Sequence, residues 1–170
     1  MKPTYLILVF MAIVIIGCKK ASPNQSEPPL DLGFYLLADS MMTTVQAQQI
    51  ALESLTINDQ AVLSINDIVT YQWSDHSLEL TNDAFNRFKS TENKIKSVLG
   101  LPFVVVVKGE KVYLGNIYPG YSSYRPQDLP YVMVMPFVSF KILRAPDSTV
   151  ADKRIDSRIY DALVANNKLK

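Results

Sequence analysis

The segment 103–107 (FVVVV) constrains the fold of this chain most, because it contains no polar position at all. A strand with one wet face alternates apolar and polar residues, whereas a strand covered on both faces reads as a continuous apolar run. We therefore expect residues 103–107 to form a central strand with packed side chains on both sides. Gly109 and Glu110 predict a tight turn with glycine first, after which residues 111–117 return as the partner strand.

Local patterns predict the other elements around this strand. Helices are expected to begin at polar N-caps, and strands at alternating or continuous apolar runs. In chain order, the predictions are a strand at 34–37, a helix capped by Thr43 or Thr44 through about residue 55, a hairpin of 67–73 with 78–80, a helix capped by Thr81 through about residue 99, an extended segment at 131–142 interrupted by Pro136, and a short helix capped by Asp156.

The order of the first six elements is strand, helix, strand, strand, helix, strand. This is the split βαβ, or ferredoxin-like, pattern. It predicts an α+β fold with an antiparallel sheet, helices on one face, extra C-terminal strands and a short terminal helix. The alternative is another α+β sandwich in which the same elements have different neighbours.

The N-terminal segment predicts where the chain resides. Residues 5–16 (YLILVFMAIVII) carry no charge, yet this run is shorter than the roughly 20 residues that a membrane-spanning helix needs. It is followed by Ile15-Ile16-Gly17-Cys18, which contains the only cysteine of the chain. This arrangement resembles a bacterial lipoprotein signal, in which the cysteine is lipidated and becomes the new N-terminus. The alternatives are an uncleaved membrane anchor and an ordinary signal peptide.

The lipoprotein resemblance implies a domain organisation. Residues 1–17 would be the signal peptide and Cys18 the lipidation site that holds the protein on a membrane. Residues 18–32, polar and rich in proline, would be a flexible tether, and residues 33–170 a single α+β domain. Lys19 follows the cysteine in place of the aspartate that resembles an inner-membrane retention signal, so the expected location is the outer membrane, facing the periplasm.

Charge excludes some classes of partner. The chain has 17 Lys and Arg against 16 Asp and Glu, and loss of Lys2 with the signal would make the two counts equal. No basic stripe is visible, so we expect no nucleic-acid partner. No motif for a cofactor or a metal appears, since the single histidine and the scattered carboxylates lack ligand spacing.

A tyrosine-rich stretch is the candidate binding surface. Tyrosine offers apolar area and a hydroxyl at little entropic cost, and arginine offers a rigid fork for carboxylate or phosphate. Residues 118–130 also form a long loop, and such loops are often functional. The alternative is that the rings only cover the sheet edge and pin the loop. The candidates are Tyr113, Tyr118, Tyr121, Tyr124, Arg125 and Tyr131.

Catalysis has one candidate constellation. His76 could serve as base to Ser122 or Ser123, with Asp75 or Asp67 as the orienting carboxylate. Neither serine lies in a Gly-x-Ser-x-Gly elbow. The simpler interpretation is that His76 is a solvated residue of the turn 74–77.

Part of the chain resembles a known family. The segment Leu78-Glu79-Leu80-Thr81, the helix with Phe85 and Phe88, and residues 103–112 (FVVVVKGEKV) are similar to the periplasmic first domain of SecD. Residues 63–68 resemble the SecD segment before those strands. The resemblance implies a split βαβ architecture and no shared activity, since the chain lacks the transmembrane helices of SecD. The amino-acid sequence of residues 100–123 also resembles that of a group of uncharacterised bacterial secreted proteins.

These observations favour a lipid-anchored accessory or binding module of the cell envelope without catalytic activity. Its partner would be an envelope protein, a peptide or a glycan. Two alternatives remain: an envelope hydrolase that uses His76, and a structural lipoprotein that assembles by strand addition at residues 131–142.

Overall fold

The computed structural model describes residues 31–124, 127–134 and 140–170. The predicted signal peptide, Cys18, Arg125 and Pro136 lie outside the described residues. Leu32 already belongs to the first strand, so that strand begins inside the predicted tether. No helix in the described ranges combines the length and the apolar character that crossing a bilayer requires.

The described elements are strands, short α-helices and 3₁₀ turns. The strands are β1 (Leu32–Leu36), β2 (Leu63–Ser64), β3 (Ile68–Gln72), β4 (Ser77–Leu80), β5 (Leu101–Val107), β6 (Glu110–Pro119), β7 (Tyr131–Val134) and β8 (Phe140–Leu143). The α-helices are α1 (Thr44–Gln48), α2 (Asn82–Lys89) and α3 (Ser157–Ala165). Single 3₁₀ turns occupy Leu52–Ser54, Ile65–Asp67, Ser90–Lys94 and Lys153–Ile155.

These strands form one sheet in the order β2-β1-β5-β6-β7-β8-β4-β3. Every neighbouring pair is antiparallel except β6 and β7, which run parallel. One buried apolar cluster draws side chains from all the strands and from α2 and α3, so the sheet curls around it as a nearly closed, barrel-like layer. The α+β class is therefore confirmed.

The neighbour order differs from a split βαβ arrangement. The β3–β4 hairpin lies at the far end of the sheet from β1, whose neighbours are β2 and β5. The segment before the hairpin occupies the other side of β1: the amide of Val62 donates to the carbonyl of Phe34 at 2.8 Å, and the amide of Asn58 to that of Leu36 at 2.9 Å. Strand β2 has only two residues, too few to give a period-2 pattern in the sequence.

Strand β5 confirms the prediction of a central strand covered on both faces. All seven of its residues are buried. Phe103, Val105 and Val107 point into the cluster with α2 and α3, while Val104 and Val106 pack on a second cluster that includes Ala47 of α1. The prediction of helices on one face was therefore wrong for α1, because the second face of a buried strand needs its own cover.

The predicted N-caps are confirmed, but two helices are shorter than expected. The Thr43 hydroxyl accepts from the amide of Gln46, whose side chain accepts from the amide of Thr43. Thr81 and Asp156 cap α2 and α3. Helix α1 ends at Gln48, where the prediction extended to about residue 55.

Helix α2 ends early for a visible reason. The hydroxyls of Ser90 and Thr91 donate to the carbonyls of Arg87 and Phe88, each at 2.6 Å. Such side-chain bonds compete with the backbone bonds of a continuing helix. The chain passes into a 3₁₀ turn at Ser90 instead of remaining helical to about residue 99.

The last described residues close one edge of the sheet. Tyr71 of β3 donates its amide to the carbonyl of Lys168 at 2.7 Å and accepts from the amide of Lys170 at 2.9 Å. Leu169 thereby forms a parallel bridge with Tyr71. The unpaired side of an edge strand is a template for aggregation, and this segment covers part of it.

The turn between β5 and β6 has a strained first residue. Val107 pairs with Glu110, so Lys108 and Gly109 are its two central residues, and both have positive φ, 51° and 80°. Two positive φ angles define a type I′ turn, which favours Asn-Gly. The predicted turn with glycine first was thus displaced by one residue.

We expect Lys108→Asn to stabilise the protein. Asparagine tolerates the left-handed region better than lysine does, and a non-glycine residue there costs about 1–2 kcal/mol. A gain of roughly 0.5–1 kcal/mol in the free energy of unfolding, measured by urea denaturation, is expected. Gly109→Ala is the matched control within the same turn. A Cβ at position 109 would meet open space, but the backbone there has positive φ, so this substitution should destabilise the protein. Equal effects of both variants would contradict this account.

Candidate functional site

The predicted tyrosine surface divides into buried and exposed members. Tyr113 and Tyr118 on β6 are each only 1% exposed. The ring of Tyr113 packs against that of Phe103 at 6.4 Å, and the ring of Tyr118 against that of the half-buried Tyr131 at 5.7 Å. Tyr113 and Tyr118 are therefore not part of an exposed surface: Tyr113 lies in the main apolar cluster, and Tyr118 lies where β6 pairs with β7.

The exposed members lie on residues 120–124, which we call the Tyr121 loop. Tyr121 is 76% exposed and Tyr124 37% exposed. The loop is held in place by its buried neighbour Ser122, whose hydroxyl donates to the carbonyl of Val98 at 2.6 Å and accepts from the amide of Tyr124 at 3.2 Å. At its start, Gly120 donates its amide to the carbonyl of Val134 at 3.1 Å.

Val98, whose carbonyl accepts from Ser122, adds an exposed apolar residue that was not among the candidates. It lies in the segment predicted to be helical through about residue 99, but α2 ends at Lys89 and the side chain of Val98 is 55% exposed. The pair Ser90 and Thr91 was the available signal, since these residues favour helix ends over helix interiors. Arg125, the remaining candidate, lies outside the described residues.

His76 is a buried residue, not a solvated one as the sequence predicted. It is 5% exposed, and its Nδ1 lies 2.8 Å from the hydroxyl oxygen of Tyr71. The rings of Tyr71 and Trp73 lie edge-on to it at 5.9 and 5.4 Å. Its backbone φ of 58° turns the chain so that the side chain faces inward.

Burial and a nearby positive charge favour the neutral form of His76. Burial lowers its pKa below the usual 6.5, and the guanidinium of Arg154 lowers it further, against the opposing charges of Asp152 and Asp75. Arg154 is fixed by Asp152 at 2.7 Å and donates to the carbonyl of Ile142 at 2.8 Å. Burial also raises the pKa of Tyr71, so its hydroxyl stays protonated and can donate to the histidine.

The structure does not assemble the predicted hydrolase constellation. The Ser122 hydroxyl is occupied by the carbonyl of Val98, and within the described ranges no hydrogen bond joins His76 to Ser122 or Ser123. The carboxylate of Asp75 accepts from the amide and hydroxyl of Ser77 and from Lys141, and these bonds lower its pKa to about 2. It therefore orients the turn, not the imidazole.

Asp67, the other carboxylate considered for that role, is also engaged elsewhere. It accepts from Ser64 at 2.7 Å and pairs with Arg87 at 2.7 Å. Across the part of the chain that the structure describes, no group of three His, Cys, Asp or Glu side chains could hold a metal ion.

The described parts of residues 131–142 lie inside the sheet, while residues 135–139 lie outside the described residues. Strand β7 lies between β6 and β8, and β8 between β7 and β4. Both are interior strands whose ladders are already paired on either side, so neither offers a free edge. The edge strands are β2 and β3.

Comparisons with protein-family models, with curated proteins and with solved structures returned no match to this chain. The lipoprotein signal and the resemblance to SecD therefore stay predictions from sequence.

The buried histidine predicts a pH dependence of stability. Because its folded pKa lies below the unfolded value of 6.5, the unfolded state binds more protons as the pH falls through 6.5. The free energy of unfolding should be fully retained above that pH and fall below it, by at most about 1.4 kcal/mol per pH unit from this one group.

Urea denaturation between pH 5 and 7, followed by the fluorescence of Trp73, measures this effect. His76→Asn removes the titrating group while keeping a residue that tolerates positive φ. The stability of this variant should depend much less on pH between 5 and 7, where Asp75 and Asp152, whose pKa values are lowered, stay ionised. A wild-type stability that is flat from pH 7 to pH 5 would contradict the assignment.

Proposed function

We propose that the protein is a lipid-anchored binding module of the cell envelope that presents the Tyr121 loop to a protein partner. The lipid on Cys18 would hold it on the outer membrane, facing the periplasm. Two or three acyl chains anchor a protein stably, whereas one chain does so only marginally. The part of the predicted tether that precedes the described residues, 18–30, would let the domain move within roughly 20 Å of its anchor, from the dimensions of a flexible chain of that length.

One observation carries the binding part of this proposal: a tyrosine ring that is 76% exposed on a loop that is itself fixed. The Ser122 bonds to Val98 and Tyr124 restrain the loop backbone before any partner arrives. Ordering a mobile loop opposes association, so a fixed loop loses less entropy on binding. Tyrosine is also among the residues enriched at the energetic centres of protein interfaces.

The surroundings of Tyr121 support a protein partner over a small molecule. Val98 and Tyr124, the two residues that Ser122 holds by hydrogen bonds, also have exposed apolar side chains. Aromatic and aliphatic side chains with few charges make up the centre of a typical protein interface. The near-equal numbers of acidic and basic residues give no reason to expect a partner selected by net charge.

Replacement of the lipidation site tests the anchor. Cys18→Ser removes the only thiol, so incorporation of radiolabelled palmitate should be lost, and the protein should move from the membrane pellet to the soluble fraction. A second cysteine placed in the tether, Ser26→Cys in the Cys18→Ser background, is the matched control and should not restore labelling. Unchanged labelling and sedimentation of Cys18→Ser would overturn the anchor.

Photo-crosslinking in intact cells tests the surface. A photoreactive phenylalanine at Tyr121 should give a discrete higher-mass adduct, because this ring would lie in the interface. The same probe at Val69, which is 42% exposed on β3, is the control position and should give none. Recovery of only the uncrosslinked chain from the Tyr121 position, or equal adducts from both, would contradict the proposed surface.

A further inference from the structure

A groove lies between the end of β1 and the 3₁₀ turn at Ser90–Lys94, and none of its lining residues belongs to the Tyr121 loop. It consists of two cavities of about 400 and 360 Å³ that share Leu36, Asn58 and Lys94 as lining residues. Each volume falls within the roughly 300–1,000 Å³ of ligand sites in proteins. We call this continuous depression the basic groove.

The lining combines aliphatic surface with side chains that form hydrogen bonds. Leu36, Leu37, Ala38, Val62 and Leu101 supply the aliphatic part. The polar part consists of amides and hydroxyls, which can pair with the N–H and C=O groups of an extended chain. These polar residues are Ser40, Asn58, Gln60, Ser90, Thr91 and Asn93.

The cationic side chains of the groove differ in what they already bind. Arg87 is committed: its guanidinium pairs with Asp67 at 2.7 Å and donates to the carbonyl of Val62 at 3.3 Å. Lys96 donates only to the carbonyl of Asn93, at 3.3 Å. Lys94 lines both cavities and makes no hydrogen bond or ion pair with another described residue. Two lysine charges are thus left without an acidic partner.

The two cavities of the groove differ in charge, because only one of them is lined by an acidic residue. Asp59 lines the cavity beside α2, where Arg87 also lies. The second cavity contains Lys94 and Lys96 and has no acidic lining residue. A carboxylate would be attracted to the second cavity and repelled near Asp59, because opposite and like charges have opposite effects at these separations.

We infer that the basic groove binds an extended peptide segment in which acidic side chains alternate with aliphatic ones. Its carboxylates would meet Lys94 and Lys96, and its aliphatic side chains the leucines and the valine. Its backbone would meet the side-chain amide of Asn93 and the side-chain oxygen of Asn58, whose NH2 group already donates to the carbonyl of Leu37. A peptide fits better than an acidic glycan, since the residues that line the two cavities include no tyrosine, tryptophan or phenylalanine on which a sugar ring could stack.

Fluorescence anisotropy with the full chain in detergent tests this site. The probe is a labelled hexapeptide of alternating glutamate and leucine, and its counterpart has lysine in place of glutamate. The glutamate peptide should bind saturably and more weakly as salt is raised, while the lysine peptide should not bind. Lys94→Glu with Lys96→Glu should weaken binding by about ten-fold, as two attractive pairs become repulsive.

The control variant is Lys89→Glu, an exposed lysine on α2 that lines neither cavity, and it should change binding less than two-fold. Replacing both groove lysines by arginine should keep the affinity, which separates loss of charge from loss of folding. Equal binding of both peptides, full affinity in the charge-reversed variant, or binding of an oligogalacturonate in place of the peptide would overturn the inference. Tyr121 is unchanged throughout, so the outcome is independent of the proposed interface.

Discussion

The burial of β5 on both faces is the constraint on which the rest of the structure depends. The side chain of each of its valines is completely or almost completely buried. Burying a valine or leucine side chain contributes about 1.5–3 kcal/mol, and this is realised only if something covers each face. Helices α2 and α3 cover one face, and α1 with Leu55 and Leu129 covers the other. The loops that connect these covering elements are therefore held to the sheet by the same apolar contacts.

The surfaces considered for function lie where this core ends. The Tyr121 loop follows directly after β6, where the parallel β6–β7 pairing stops at Pro119 and Val134. The basic groove opens at the C-terminal end of β1, where α2 has given way to a 3₁₀ turn. Rigid strands thus determine the position of both surfaces, while the residues that would contact a partner belong to turns, as is common for binding sites.

Elements that depend on neighbouring residues could be predicted from the sequence, whereas contacts between distant segments could not. The continuous run in β5, the β3–β4 hairpin and the caps Thr43, Thr81 and Asp156 all depend on neighbouring residues, and all are present. The strand order could not be predicted, because β4 meets β8 through Leu78 and Ser77, which pair with Phe140 and Lys141 over sixty positions later. No local signal identifies such partners.

The candidate site followed the same rule. Exposure of Tyr121 agrees with its place in a turn, but Tyr113 is buried in the main apolar cluster and Tyr118 beside the paired strand β7. The interior position of His76 arises from Tyr71, Trp73 and the distant Arg154. A turn histidine next to aspartate was predicted to be solvated, because the sequence does not show that the hairpin turns its side chain toward the rings of Tyr71 and Trp73.

The pairing of Lys168–Lys170 with β3 has a consequence for how the chain matures. Tyr71 completes its backbone bonds only with residues almost a hundred positions further along. Contacts so far apart in sequence form late, because closing the intervening loop is entropically unfavourable. Until then an incompletely folded chain would present an open strand to its neighbours, and in a crowded compartment that interval is when a holding chaperone would matter most.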